Sequence, residues 1–317
     1  MKKILFLFLG VCLSIFSSES KIKHLVLPKP VIRLDSKYFS ENLYGDTYKQ
    51  VLKMNQVYYS GESEFQTIKI FRNPKFGKVL VLDDVVQTTT KDEFIYHEML
   101  VHVPLLSHEN PKNVLIIGGG DGGALREVLK HRAIERVVMV EIDGLVIEKC
   151  KEFMPELSNG AFENEKAEII IDDGIEFVKN TSEKFDLIIV DSTDPFGPGM
   201  VLFTEEFYSY CKNALNINGI IVTQNGVPFL QGDELKTTFQ NRQNLFSSNT
   251  FYIAPVPTYI GGFMTFGFAS NNSANLNISV ELLKERLSSV EGTMKYYTPE
   301  IHKASFTLPK YIQKLIE

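Results

Sequence analysis

From residue 113 onward, short apolar runs alternate with longer segments that mix apolar and polar positions. The runs lie at residues 114–117, 137–140, 169–171, 187–190 and 220–222. Uninterrupted apolar runs of this length are typical of strands buried on both faces of a parallel sheet, and the segments between them are long enough for helices. A further strand is predicted at 263–269 and a late helix at 280–287. The pattern therefore predicts an α/β fold, with a doubly wound sheet in a domain spanning residues 111–317.

A different pattern precedes this domain. Runs rich in β-branched and aromatic residues, separated by glycine and Asn-Pro turns, lie at 57–59, 65–71 and 78–82. They predict a small antiparallel β unit. Thr90-Lys91-Asp92-Glu93 has the spacing of a capping box, so a helix is expected to begin there and to end before Pro111. Residues 21–55 have no clear pattern, and we assign residues 21–110 to an N-terminal β-rich domain.

The first twenty residues look like a signal peptide. Lys2 and Lys3 precede an apolar run at 4–16, and small polar residues follow it. The run is shorter than the ~20 residues that a membrane span needs. We therefore treat residues 1–20 as a signal-like hydrophobic leader, with a nonfunctional extension as the alternative.

Composition narrows the function classes. The net charge is −6 and no Lys/Arg cluster stands out, so no nucleic-acid partner is expected. The cysteines are Cys12, Cys150 and Cys211, and they form no CxxC pair and no cluster with metal-ligand spacing. Cys150 and Cys211 are expected to be small buried hydrophobes in a reducing compartment.

A glycine turn follows the first predicted strand of the α/β domain. Gly118-Gly119-Gly120-Asp121-Gly122-Gly123 opens a helix, and Glu141 ends the next strand, where an acid can bind ribose hydroxyls. Asp121 would repel a pyrophosphate in this turn, which favours a nucleoside without phosphates. The alternative reading of Asp121 is a helix N-cap.

Further acids follow the later strands. Asp172-Asp173-Gly174 comes after the third run, and we expect one acid to cap the next helix and the other to face a ligand. Asp191 and Asp194 come after the fourth run, ahead of a Pro/Gly-rich loop. Because parallel strands end at one edge of a sheet, these acids are expected to form one acidic pocket. Such a pocket needs a polycationic occupant, since its carboxylates would otherwise repel one another.

Several motifs of this chain resemble spermidine synthases, especially the bacterial branch. They are the glycine turn at 118–123, Asp191-Ser192-Thr193-Asp194-Pro195-Phe196-Gly197-Pro198, Asp92-Glu93-Phe94-Ile95-Tyr96-His97-Glu98-Met99, Val81-Leu82-Asp83-Asp84-Val85-Val86-Gln87 and Pro257-Thr258-Tyr259-Ile260-Gly261-Gly262. The resemblance runs from about residue 38 to about residue 314 and leaves out the leader. Asp84 stands where the family usually has glycine, and this change is expected to strain the backbone at a turn without affecting the chemistry.

The resemblance implies a Rossmann-like, methyltransferase-type sheet and a role for each matching residue. Asp191 and Tyr96 would be catalytic, with Asp191 as the general base. Gln66, His97, Asp121, Glu141, Asp172, Asp173 and Gly174 would bind the donor, decarboxylated S-adenosylmethionine, and Asp194, Gln224 and Tyr259 would bind the diamine acceptor. The donor is a co-substrate, and the resemblance implies no metal and no resident cofactor.

The implied reaction transfers an aminopropyl group to putrescine, giving spermidine and 5′-methylthioadenosine. Residues 225–229 provide mainly apolar surface and no added acid, which favours a diamine over a triamine acceptor. These substrates are cytosolic metabolites, so a cytoplasmic homodimer or homotetramer is expected, with export or membrane tethering through the leader as the alternative. An S-adenosylmethionine-dependent methyltransferase is the nearest rival, but Asp121 would repel the carboxylate of its substrate. A noncatalytic polyamine-binding protein is the other alternative, and Asp191 with Tyr96 argues against it.

Overall fold

The computed structural model describes residues 37–194 and 197–317. The signal-like leader at 1–20, Cys12 and the motif residues Pro195 and Phe196 lie outside the described residues. Within those ranges, helices are all too short or too polar to cross a membrane.

The N-terminal part of the described chain forms two small antiparallel sheets. Strands β1 (Tyr38–Ser40) and β2 (Val51–Lys53) pair with each other. A four-stranded sheet follows in chain order, with β3 (Gln56–Glu62), β4 (Thr67–Asn73), β5 (Gly77–Leu82) and β6 (Val85–Thr89). The predicted antiparallel β unit is confirmed, and β6 is an addition to it.

The turn between β5 and β6 has the strain that the sequence suggested. Asp83 and Asp84 have φ angles of 45° and 59°, in the left-handed region that favours glycine. Two consecutive residues with positive φ form a tight two-residue hairpin turn whose twist matches that of the flanking strands. Asp84 is therefore a non-glycine residue in a position that glycine would occupy at lower cost.

The large sheet has seven described strands in the order β12-β13-β11-β10-β7-β8-β9. Their bounds are β7 (Asn113–Gly118), β8 (Arg136–Glu141), β9 (Ala167–Ile171), β10 (Phe185–Asp191), β11 (Leu215–Gln224), β12 (Ser248–Ala254) and β13 (Met264–Ser270). Strands β7 to β11 run parallel, and β13 pairs antiparallel with both β11 and β12. The predicted doubly wound sheet is confirmed. Strand β12 was not predicted, because its first three residues, 248–250, are polar and leave only a short apolar run at 251–254.

Helices cover both faces of this sheet. They are α1 (Glu93–Ser107), α2 (Gly123–Leu129), α3 (Gly144–Phe153), α4 (Pro155–Ser158), α5 (Gly174–Asn180), α6 (Glu205–Ala214), α7 (Gly232–Gln243), α8 (Val280–Leu287), α9 (Pro299–Ser305) and α10 (Lys310–Gln313), with 3₁₀ turns at 161–163, 197–203 and 273–276. Side chains of β7 alternate between two cores: Val114 and Ile116 pack in one, and Leu115 and Ile117 in the other. This burial on both faces explains the uninterrupted apolar runs. The helix predicted at 280–287 is confirmed.

Helix α1 differs from its predicted start. It begins at Glu93 with Asp92, not Thr90, in the N-cap position, and Asp92 makes no side-chain capping bond, so the capping-box prediction is wrong. The Asp92 carboxylate instead accepts hydrogen bonds from Thr89 and Thr258. The helix ends at Ser107, as expected, and its apolar side chains pack in the core of the large sheet. The domain boundary between residues 110 and 111 stays a prediction.

The chain reverses its direction of travel across the sheet between β7 and β10. These strands are neighbours, and Gly118 lies opposite Asp191 in their register. A Cβ atom on Gly118, which has φ +83°, would lie 2.2 Å from the Asp191 carbonyl oxygen. The glycine turn can therefore press against the end of β10 only without side chains. Open α/β sheets bind ligands at such a switch point, which locates the candidate site.

Candidate active site

Two adjoining cavities lie at the carboxyl ends of the parallel strands. The larger is lined by the glycine turn after β7 and by the ends of β8 and β10. The smaller lies between β6, the end of β11 and the start of α7. Gln87, Tyr96, Ser192, Thr193 and Tyr259 line both cavities. A molecule in one cavity can therefore reach a molecule in the other past these side chains.

Most of the predicted site residues line these cavities. The larger cavity is lined by Gln66, Tyr96, His97, Asp121, Glu141, Asp173, Gly174, Asp191 and Tyr259, and the smaller by Tyr96, Asp194, Gln224 and Tyr259. Asp172 lies outside both linings and is exposed, and its carboxylate accepts a bond from the Asp173 backbone N–H. The structure divides the two acids differently from the expectation, because Asp173 both caps α5 and lines the cavity. The donor-binding role of Asp172 stays a prediction.

Tyr96 lines both cavities, and Asp191 lines the larger one beside it. The Tyr96 hydroxyl donates a hydrogen bond of 2.6 Å to Asp191 Oδ1. Burial raises the pKa of Asp191 to about 6; the charge of His97 and the Tyr96 bond oppose this rise, and the charge of Asp121 adds to it. Burial likewise keeps the pKa of Tyr96 well above its ordinary value, so its hydroxyl stays protonated. Asp191 is thus a carboxylate that can take up a proton near neutral pH.

Glu141 closes the glycine turn from the side of β8. Its Oε2 accepts a bond of 3.1 Å from the Gly120 N–H, and its Oε1 accepts one of 2.9 Å from the Asp143 N–H. Burial raises the pKa of Glu141 to about 7, although these two backbone bonds oppose the rise. An ionised carboxylate can accept about four hydrogen bonds, and these two backbone bonds leave lone pairs free. Because Glu141 lies in the cavity wall, those lone pairs can accept bonds from hydroxyl groups of a ligand.

The small sheet is tied to the larger cavity through Asp143. This residue caps α3, and its Oδ2 accepts bonds from Ser63 at 2.7 Å and from the Gln66 side-chain amide at 2.9 Å. Gln66 lies between β3 and β4 and lines the cavity. The N-terminal sheet therefore contributes one wall of the site.

His97 and Asp121 lie side by side at the base of the larger cavity. Asp121 Oδ1 accepts a bond of 2.7 Å from the Gly123 N–H at the start of α2, and its Oδ2 is 3.5 Å from His97 Nε2. Asp121 lines the cavity, as the ligand interpretation expected. The N-cap interpretation is wrong, because Gly122 occupies the N-cap position of α2 and Asp121 precedes it. The other ring nitrogen of His97 lies 2.7 Å from Glu93 Oε2.

Asp194 lies in the smaller cavity and is held by Gln231. The Gln231 amide nitrogen donates to Asp194 Oδ1 at 3.0 Å and to Glu234 Oε2 at 3.3 Å, while its oxygen accepts bonds from the Val227 N–H and the Tyr44 hydroxyl. One amide group therefore joins two carboxylates. Burial raises the pKa of Asp194, and burial together with the Asp194 charge raises the pKa of Glu234 to about 8.

Glu41 brings a further carboxylate to the smaller cavity. It follows β1, lies buried in the cavity wall, and accepts bonds from the Val86 N–H and the Gln50 side chain. Burial raises its pKa. Gln224 fixes the loop beside it, because its amide nitrogen donates to the Thr193 carbonyl at 3.1 Å and its oxygen accepts from the Gly226 N–H.

Sequence reasoning missed the roles of several of these residues. Glu41 and Tyr44 lie in the segment that had no clear pattern, and Gln231 and Glu234 belong to an ordinary polar helix start. Gln87 belongs to one of the matching motifs, but the sequence indicated no role for it; its backbone carbonyl accepts a hydrogen bond from the Tyr259 hydroxyl. The polar residues at the start of α7 do not indicate a binding role by their spacing. Only the contact between Gln231 and Asp194 shows that they belong to the site.

The electrostatics of the site suit cations. Burial raises the pKa values of Asp191, Asp194, Glu41 and Glu141, so their charged forms are costly without a cation nearby. A cationic ligand would lower those pKa values and be held by the resulting charges. In the described part of the chain, no group of three or more His, Cys, Asp or Glu side chains is arranged to hold a metal ion. Cys150 and Cys211 are free and buried, as expected.

Family models match most of the described chain. A model described as "Spermine/spermidine synthase domain" matches residues 93–280, and one described as "Spermidine synthase tetramerisation domain" matches residues 38–90. The border between these matches falls close to the start of α1.

Named relatives are similar over most of their length. A polyamine aminopropyltransferase of Ruegeria sp. is 53% identical over 270 residues, covering 85% of this chain and 95% of the relative. Another, of Pseudomonas syringae pv. tomato, is 50% identical over 274 residues, covering 86% of this chain and 96% of the relative.

Solved structures are similar in fold as well as in sequence. A spermidine synthase in complex with the transition-state analogue AdoDATO superposes with a TM-score of 0.84 at 41% identity, covering 93% of this chain and 99% of that chain. The spermidine synthase of Thermotoga maritima gives a TM-score of 0.82 at 41% identity, covering 88% and 94% of the two chains.

Proposed function

Because this chain belongs to the spermine/spermidine synthase family and is a polyamine aminopropyltransferase, we propose that it transfers the aminopropyl group of decarboxylated S-adenosylmethionine to putrescine. The products are spermidine and 5′-methylthioadenosine. The observation that carries the proposal is the pair of cavities that adjoin at Tyr96 and Tyr259. Two reactants held in adjoining cavities react without the entropy cost of a bimolecular encounter.

The larger cavity fits the donor. Its glycine turn allows close approach of a nucleoside, and Glu141 and Asp173 supply acceptors for hydroxyl and amino groups. Asp121 at the turn attracts the donor's ammonium and would repel the carboxylate of intact S-adenosylmethionine. This charge preference favours an aminopropyl donor over a methyl donor.

The smaller cavity fits one end of a short dication. Asp194 and Glu41 lie in its wall, together with apolar side chains that include Val227 and Met264. The two carboxylates hold the ammonium that stays charged, and the other amine extends toward Asp191. The 225–229 loop itself has no acid; Glu41 adds one from a segment distant in the chain, and it serves the same distal ammonium.

Asp191 removes the proton that blocks attack. An alkylammonium with an ordinary pKa of about 10 has no lone pair at neutral pH. Asp191 accepts one proton from the nearer ammonium, the freed lone pair attacks the methylene carbon beside the sulfonium, and the carbon–sulfur bond breaks to leave neutral 5′-methylthioadenosine. Loss of water and the nearby sulfonium charge lower the ammonium pKa toward that of Asp191, which is about 6.

Parallel assays test the acceptor. Wild-type protein would receive the decarboxylated donor with putrescine, cadaverine or spermidine at equal concentration, and 5′-methylthioadenosine would be measured. Putrescine is expected to react fastest, and cadaverine more slowly, since one methylene is worth only ~1–3 kcal/mol. Fastest consumption of spermidine would refute the acceptor while retaining the chemistry; no 5′-methylthioadenosine with any amine would refute the transfer itself.

A Glu41→Gln variant tests the distal anchor. It is expected to raise the KM for putrescine by at least tenfold with a smaller effect on kcat, because it removes charge from a binding contact. Gln50→Ala is the matched control, since Gln50 bonds to Glu41 at 3.3 Å without contributing charge. A KM unchanged by Glu41→Gln would exclude Glu41 from the acceptor site.

The proposal extends to assembly and location. The match of residues 38–90 to a tetramerisation domain supports a homodimer or homotetramer, which light scattering of the purified protein tests. We propose that the working enzyme is cytoplasmic, because donor and putrescine are made there. Recovery of active protein without its leader from an extracytoplasmic fraction would contradict this location.

A further inference from the structure

His97 lies between two carboxylates, one at each ring nitrogen. Its Nδ1 is 2.7 Å from Glu93 Oε2, and its Nε2 is 3.5 Å from Asp121 Oδ2. The His97 side chain is only 2% exposed, so water cannot take the place of either partner. A neutral imidazole donates from one nitrogen only, whereas an imidazolium donates from both. The geometry therefore favours the imidazolium form.

Glu93 is itself fixed in place. It lies one helical turn before His97 on α1, with its side chain 7% exposed. The guanidinium of Arg126 on α2 donates a bond of 2.8 Å to the same Glu93 oxygen, Oε2. Arg126 also bonds Glu127, so the carboxylate of Glu93 is held by a rigid charged partner from a second helix.

The ring of His97 is also fixed by packing. A Cβ atom on Gly123 would lie 2.2 Å from His97 Cε1, so the ring rests directly on the start of α2. On its other side the Tyr96 ring meets it edge-on, with centroids 5.2 Å apart. Only a glycine at position 123 leaves room for this arrangement, which gives the last glycine of the turn a role beyond the turn itself.

We propose that Glu93 is a positioning residue that holds His97 as a buried imidazolium, and that this fixed positive charge orients Asp121 and favours the ionised form of Asp191 before the cationic substrates bind. The proposal rests on the proposed function, because it explains how the site for two cations keeps its carboxylates charged. Without a resident cation, neighbouring buried carboxylates would share a proton.

The pKa shifts of these groups agree with the geometry. Burial alone would lower the pKa of His97, but Asp121 and Glu93 raise it to about 10. Burial alone would raise the pKa of Glu93, but His97 and Arg126 lower it to about 2. The groups that face His97 are Glu93 from α1, Asp121 from the turn and Asp191 from the end of β10, and the His97 charge lowers the pKa of Asp191.

This arrangement changes the role expected for His97. Both ring nitrogens lie beside carboxylates, and an imidazolium has no lone pair to offer to the donor's ammonium. His97 therefore acts on the donor through Asp121, whose carboxylate it orients. The predicted donor-binding role becomes one of charge control.

The first test measures His97 directly in the substrate-free protein. NMR titration of the six histidines, with the His97 signal assigned by its loss in His97→Gln, should give a pKa well above the ordinary ~6.5. Glu93→Gln should lower that pKa by about 1–2 units, the worth of a hydrogen bond to a charged group. Glu127→Gln is the matched control, because Glu127 bonds Arg126 and His102 but not His97, and should leave the titration in place.

The second test measures the pH profile of kcat/KM. His97→Gln should move the acid limb, which Asp191 sets near 6, up by about 1–2 units, the range expected for losing one nearby opposite charge that lowers the Asp191 pKa. Glu93→Gln should leave that limb in place, because His97 remains charged near pH 6 even with its pKa lowered. A variant that merely damages the fold would lose activity equally at every pH.

The two readouts separate this proposal from the proposed function. A His97 pKa near 6.5 in the wild-type protein would overturn it whether or not the enzyme makes spermidine. So would an unmoved acid limb in His97→Gln, or an unchanged His97 pKa in Glu93→Gln. Absence of 5′-methylthioadenosine from the wild-type reaction would overturn the function and leave the NMR result standing.

Discussion

Removing the Tyr96 hydroxyl should shift the pH dependence of the enzyme without abolishing it. Tyr96→Phe deletes the 2.6 Å hydrogen bond to Asp191 and keeps the ring, which packs on Phe266 and Tyr259. A hydrogen bond to a buried charged group is worth about 1.5–3 kcal/mol, and one pKa unit corresponds to about 1.4 kcal/mol. The pKa of Asp191 should therefore rise from about 6 by about 1–2 units.

The sign of this effect follows from which form is active. Asp191 must be ionised to accept a proton, so activity appears as pH rises through its pKa. With a pKa near 7.5 in the variant, the ionised fraction at pH 6.5 would be about eightfold smaller than in the wild type, whereas at pH 9 the two would be nearly equal. Tyr96→Phe should thus lose activity in acid and keep most of it in base.

The assay is kcat/KM for the donor between pH 5.5 and 9.5, measured by formation of 5′-methylthioadenosine. Tyr252→Phe is the matched control: its hydroxyl bonds the Met99 carbonyl, and its ring stacks on the same Phe266 at 5.1 Å, without touching Asp191. Asp191→Asn is the limiting case and should lose about 10²-fold or more at every pH, with the donor still bound. A uniform loss in Tyr96→Phe with an unmoved acid limb would refute the assignment of Asp191 as the titrating base.

Three further outcomes are expected. Asp121→Asn should weaken binding of the decarboxylated donor more than binding of intact S-adenosylmethionine in calorimetric titrations. Equal losses of affinity for the two ligands would show that Asp121 only accepts the hydrogen bond of the Gly123 N–H. In the wild type the KM for putrescine should fall as pH rises through about 8, where Glu234 ionises beside Gln231, and Glu234→Gln should flatten that dependence; a slope kept by the variant would rule Glu234 out. Asp84→Gly should raise the free energy of unfolding in urea by about 0.5–1 kcal/mol, because φ 59° suits glycine, and a lower value would show that Asp84 is not strained.

The sequence located much of the site because of a regularity of parallel sheets. Strands that run in one direction end at one edge, so acids that follow successive apolar runs must come together. Asp121, Glu141, Asp173 and Asp191 meet at the larger cavity for this reason. No long-range information was needed, since each acid is placed by its own strand.

Other features depend on contacts that no local pattern encodes. Asp172 and Asp173 are equivalent in the sequence, and only the direction of the chain into α5 sends one to the cavity and the other to solvent. The expected capping box failed because Thr90, the residue expected to cap the helix, instead accepts a hydrogen bond from the Lys78 N–H of β5, which is 12 positions away. A distant partner here outweighed a local preference.

The order of apolar runs and the residues close to strand ends were enough to predict the doubly wound sheet, the glycine turn and, through the matching motifs, the family of the enzyme. The packing of distant segments was needed to show that Glu93 and Asp121 lie on either side of His97, and that Glu41 and Gln231 join Asp194 in one cavity. These groups come from helices and sheets far apart in the chain. Their pKa values and orientations arise from burial and from charges across those contacts, and such properties exist only after the chain has packed.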